Sequence, residues 1–97
     1  MASGGSTQRV YELVSAMRDL SQDFRSLNLN CTANAIWECA SALFQCAAET
    51  SAIASKVKRV AVLAVHWAAF AADSKAQSVQ ERAMAVSRFA DSVALDL

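Results

Sequence analysis

The sequence predicts an all-α fold, and three observations carry that expectation. Pro is absent, the only glycines are Gly4 and Gly5, and the three asparagines, Asn28, Asn30 and Asn34, sit together, so the several turns of a β-rich chain lack most of the residues that normally supply them. Apolar residues return at spacings of three and four along most of the chain, which keeps them on one helix face. The hydrophobic fraction is 55%, much of it alanine, a residue that favours helix but buries little area, so the helices must approach one another closely. A chain of 97 residues makes one domain. The small residues 1–6 read as a flexible tail ahead of a single helical domain over 7–97.

The first helix is expected over about 8–27, with Thr7 as its N-cap. Val10, Leu13, Met17, Leu20, Phe24 and Leu27 alternate at spacings of three and four, and the opposite side carries Arg9, Glu12, Arg18, Asp19, Gln22, Asp23 and Arg25. Asn28-Leu29-Asn30 ends it, because Asn tolerates the left-handed backbone of a helix C-terminus; Asn30 or Thr32 can cap the next helix.

The second helix organises the chain. From Ile36 the series runs Cys39, Leu43, Cys46, Thr50, Ile53, Val57, Val60, Ala64, Trp67 and Ala71, apolar at every position but Thr50, with no Gly or Pro in it. The register crosses Thr50 unbroken. The spacing therefore predicts one helix over about 32–72, although about 40 residues is long for a globular protein. Asp73 and Ser74 interrupt it. Ser78 to Glu81 has the pattern of a capping box, and a last helix over about 76–95 presents Val79, Ala83, Val86, Ala90, Val93 and Leu97 with Phe89 beside them. Three helices with a long central one leave apolar surface uncovered, which predicts closure as a homodimer through Ile36, Leu43, Cys46, Ile53, Val57, Val60, Ala64, Trp67 and Ala71. The alternative is a compact monomeric four-helix bundle with a turn near 50–52.

Nine basic residues balance nine acidic ones, so no global field steers the protein to nucleic acid or to an anionic membrane. The uncharged run from Val60 to Ala72 is too short to span a bilayer. Three cysteines, an odd number, argue against a secreted disulfide framework and for a reducing, cytoplasmic setting.

Cys39 and Cys46 share a face but lie about 10 Å apart along a helix, too far for a disulfide or one metal ion. Cys31, Cys39 or Cys46 could be set against His66 as a nucleophile pair. No acid, oxyanion donor or glycine loop accompanies them, so the chain reads as non-enzymatic, with no cofactor and no metal site. His66, the only histidine, is flanked by Trp67 and Phe70 and could ligate haem, but it lacks the second ligand such a site shows.

Lys56, Lys58 and Arg59 are the one basic cluster and could meet the phosphates of duplex nucleic acid if a dimer doubled them. Trp37, Phe44, Val62, Val65 and Phe70 lie off the seam, where large apolar groups imply a partner surface. The sequence thus points to a helical interaction or adaptor module that self-associates and binds a protein partner. A duplex nucleic-acid binder and a carrier of haem or an apolar ligand at His66 are the alternatives. No motif points to a known family.

Overall fold

The computed structural model describes residues 2–97; Met1, and the side chains of residues 2–6, 50 and 51, lie outside the described residues. Four helices follow one another: α1 (Ala2–Ser26), α2 (Asn30–Cys46), α3 (Thr50–Asp73) and α4 (Gln77–Asp96). No strand occurs among the described residues. α1 packs on α2 and α4, and α3 packs on α4 and α2, so α1 and α3 lie diagonally across the molecule. The result is an up-down-up-down bundle measuring 43 × 20 × 17 Å.

The all-α expectation holds, and so does the four-helix alternative. The three-helix arrangement with a continuous helix over 32–72 does not, because the chain reverses at Ala47–Glu49, just ahead of the turn expected near 50–52. Ala47 keeps a helical backbone (φ −58°, ψ −30°), and its N–H reaches the Phe44 carbonyl at 3.4 Å. Glu49 is extended (φ −96°, ψ 100°). Its N–H donates to the Cys46 carbonyl at 2.9 Å, and its own carbonyl accepts from Ile53 at 3.1 Å to start α3.

Magnitudes explain why the rod folds. Helix propensity among ordinary residues differs by less than about 1 kcal/mol per position. Burying one Leu, Ile or Val side chain contributes roughly 1.5–3 kcal/mol. Folding the apolar seam upon itself therefore outweighs continuing the helix.

The residues expected at an interchain interface accordingly face inward. Ile36, Leu43, Ile53, Val57, Val60, Ala64, Trp67 and Ala71 are buried within one chain, and Cys46 is half-buried at the end of α2. The burial expected from a dimer through this face is met within one chain. The boundary at the N-terminus also differs. α1 runs from Ala2, so Thr7 is interior to the helix and residues 2–6 continue it rather than forming a separate tail.

The other two connections close by the same device. Leu29 donates to the Phe24 carbonyl and Asn28 to the Arg25 carbonyl, with Asn28 left-handed at φ 63°. Ala76 donates to Ala71 and Lys75 to Ala72, with Lys75 at φ 59°. Both are Schellman motifs. Asn28 fits that position by its chemistry; Lys75 does not advertise it. Because Ala76 already precedes a helix starting at Gln77, the capping box expected at Ser78 does not form, and Glu81 instead accepts from the Gln77 amide at 3.4 Å. Asn30 likewise begins α2 rather than capping it, the N-cap position being Leu29.

The interior combines Val10, Leu13, Met17, Leu20 and Phe24 of α1 with Val79, Ala83, Val86, Ala90 and Val93 of α4 and the seam residues of α2 and α3. Two buried serines tie helix pairs together. The Ser21 hydroxyl donates to the Ala33 carbonyl across α1 and α2, and the Ser87 hydroxyl to the Ala61 carbonyl across α3 and α4, each at 2.7 Å. Each hydroxyl gives its proton to that main-chain carbonyl, so both are buried without an unpaired donor. Arg9 joins α1 to the end of α4 through an ion pair with Asp96, a bond to the Ser92 hydroxyl at 2.7 Å, and stacking 5.4 Å from the Phe89 ring centre. Arg82 bonds Asp23 at 2.6 Å, again between α4 and α1.

Candidate functional site

α1 and α2 are antiparallel and joined through Asn28, so residues equally distant from that turn face each other. Tyr11 and Arg18 are seven apart on the outer flank of α1, and Trp37 and Phe44 are seven apart on the outer flank of α2. The hairpin sets Tyr11 beside Phe44, with ring centres 5.5 Å apart and planes tilted by 49°. It sets the Arg18 guanidinium between two rings, 5.1 Å from the centre of Trp37 and 5.5 Å from that of Phe44. Four side chains thus form one zigzag row, Tyr11, Phe44, Arg18 and Trp37, along the outside of the bundle.

The row is open to solvent: Tyr11 is 39% exposed, Trp37 41% and Phe44 51%. Beneath the rings, Nε of Arg18 is buried without a hydrogen-bond acceptor, and no carboxylate pairs with Arg18 among the described residues. Two recesses flank the row. One of 280 Å³ lies against Tyr11, Ser15, Arg18 and Phe44. The other, of 610 Å³, lies beyond Trp37 against Gln22, Arg25, Asn34 and Glu38, where Arg25 donates to the Asn34 side-chain carbonyl at 3.2 Å. An arginine set against two aromatic rings has much of its side-chain freedom already spent, and it presents a positive charge with apolar walls.

The structure separates the sequence-predicted surface residues. Trp37 and Phe44 belong to this row. Val62, Val65 and Phe70 are exposed on α3, a different face. Tyr11 and Arg18 were not foreseen as site residues, though their heptad spacing mirrors that of Trp37 and Phe44 about the Asn28 turn.

Lys56, Lys58 and Arg59 are all exposed but diverge. Lys56 and Arg59 border a 210 Å³ recess between α2 and α3 with Cys39, Leu43, Val60 and Leu63, whereas Lys58 is four residues before Val62 on the outer stripe. Arg82 is engaged with Asp23 at the α1–α4 side and does not join them. His66 is exposed on α3 and lines none of the four recesses found. Of the cysteines, Cys31 is exposed and Cys39 and Cys46 are half-buried, all three as free thiols. Burial pushes the Cys39 thiol above its ordinary pKa; the Arg59 charge opposes this and Glu38 adds to it. No group of three or more potential metal ligands converges among the described residues, and no described helix is long and apolar enough to cross a membrane.

Compared with protein-family models, with curated proteins and with solved structures, the chain matches none.

Proposed function

We propose that the chain is a non-enzymatic protein-interaction module and that its partner docks on the row formed by Tyr11, Phe44, Arg18 and Trp37. The observation that carries this reading is the Arg18 guanidinium stacked between two half-exposed aromatic rings with no acidic partner of its own. Trp, Tyr and Arg are the residues that concentrate binding energy at protein interfaces. None of the four is required to fill the core. The chemistry the row would recognise is a peptide segment bringing a carboxylate to Arg18 and an apolar side chain to the recess beside Tyr11.

The basic cluster supports a nucleic-acid reading less well, because Lys56 and Arg59 turn toward Cys39 while Lys58 does not. An exposed His66 with no second ligand beside it gives the haem reading less to stand on.

The test is selection from a library of short random peptides against the wild-type chain. Enriched peptides should combine Asp or Glu with an aromatic or aliphatic residue and should quench or shift Trp37 fluorescence. Arg18→Ala and Trp37→Ala should each weaken their binding by about 2 kcal/mol, roughly 30-fold. Peptides that bind equally well to both variants would remove this surface from consideration.

A further inference from the structure

The outer stripe of α3 consists of Lys58, Val62, Val65, His66, Ala69 and Asp73, all exposed. Val62 is 61% exposed and Val65 47%, and no charged residue occurs from Val60 to Ala72. The neighbours of α3 in the bundle are α2 and α4, so nothing within the chain covers this stripe. Neither Lys58 nor Asp73 makes an ion pair within the chain among the described residues.

The order of the stripe is informative. Read from its N-terminal end the spacings are four, three, one, three and four, and the same from the other end. Laid antiparallel on a copy of itself, the stripe sets Lys58 opposite Asp73, Val62 opposite Ala69, and Val65 opposite His66. The two ends carry opposite charge, Val62 faces the smaller Ala69, and at the centre Val65 faces the imidazole of His66. A two-fold interface has this requirement: one surface must complement itself. A parallel pairing would set Lys58 on Lys58 and Asp73 on Asp73.

We infer that α3 is the contact between two copies of this chain, packed antiparallel about a two-fold axis at Val65 and His66, with Lys58 of each paired to Asp73 of the other. The stretch from Lys58 to Asp73 is about 22 Å of helix. That is a small interface for a stable dimer, so the association is weak and depends on concentration. Because α1 lies diagonally across from α3, the contact leaves the row around Arg18 uncovered and stands independently of the function proposed for it.

The test is sedimentation equilibrium of the full chain over a concentration series reaching the millimolar range, at low and high salt. Wild type should pass from monomer to dimer, more readily at low salt. Lys58→Glu and Asp73→Lys each place like charges opposite one another twice per dimer and should weaken association roughly tenfold. The double variant carrying both changes should return to near the wild-type constant, which a merely damaged fold would not do. Val62→Glu should abolish the dimer while leaving the helical circular dichroism unchanged. A wild-type chain that stays monomeric throughout overturns the inference. So does a double variant no better than the single ones, and so does a dimer that survives Val62→Glu, which would place the contact elsewhere.

Discussion

Replacing Phe24 and Phe44 by alanine, one at a time, asks the same chemical question at two positions that the fold treats oppositely. Phe24 is wholly buried between α1 and its neighbours, and Phe44 is 51% exposed on the outer row. For Phe24→Ala, lost transfer energy and the cavity left behind should cost about 3–5 kcal/mol. For Phe44→Ala, about half the side chain is already in water, so the burial term falls to roughly 1 kcal/mol. The ring contacts with Tyr11 and Arg18 add roughly another 0.5–1 kcal/mol at such an exposed site. A chain of this size has a total stability of roughly 5–15 kcal/mol. The core variant should therefore sit near the edge of unfolding, whereas the surface variant should not. Since 1 kcal/mol moves Tm by about 4–8 °C in domains of this size, the two melting curves should differ by at least about 4 °C. Thermal and urea denaturation followed by circular dichroism measure both. Equal destabilisation would refute the division drawn here, because it would make Phe44 part of the structural core and leave no spare aromatic row to bind a partner.

Ser21 is wholly buried where α1 meets α2, so Ser21→Leu should overpack the contact at a cost of about 1–3 kcal/mol. Ser21→Ala should cost about 1 kcal/mol or less by urea denaturation, since it removes the donor rather than stranding it. Lys75 holds a left-handed backbone that a side chain disfavours, so Lys75→Gly should raise stability by about 0.5–1 kcal/mol; an unchanged or lower Tm would contradict that geometry. Burial raises the pKa of the Cys39 thiol above 9.0, so the folded state favours the neutral form. Its contribution to stability is present below the ordinary thiol pKa and is lost as pH rises through the raised value. Just below pH 9, alkylation of Cys39 by iodoacetamide should be slower in the folded chain than in urea; equal rates would mean the thiol is not shielded.

The seam residues from Ile36 to Ala71 were legible as an apolar face; Ile36, Leu43, Ile53, Val57, Val60, Ala64, Trp67 and Ala71 are buried as that pattern requires, and Cys39 and Cys46 half so. What could not be read was which chain would cover them. A heptad register constrains the direction each side chain points, but it is indifferent to whether the backbone reverses between Cys46 and Ile53. Ala47-Ala48-Glu49 carries no residue that stops a helix, and its turn exists because of what it brings together. Lys75 posed a related problem, since its left-handed backbone is imposed by closure of the α3–α4 hairpin rather than by its own preference. On the surface, Trp37 and Phe44 stood out by being off the seam. Arg18 looked like one polar residue among seven on α1 until the hairpin slid it between two rings.

The turn at Ala47–Glu49 differs from the other two in having no left-handed residue to hold it. Ala47 is already helical, and straightening Glu49 and its neighbour would join α2 to α3 as one rod without disturbing the hairpins on either side. Two opened molecules could then trade halves, each α1–α2 unit settling on the other's α3–α4 unit with the contacts between helices reproduced and only the turn lost. Refolding from concentrated denaturant is thus the condition under which an intertwined, slowly dissociating species accumulates, and a glycine in place of Ala48, by loosening the reopened rod, is the change that suppresses it.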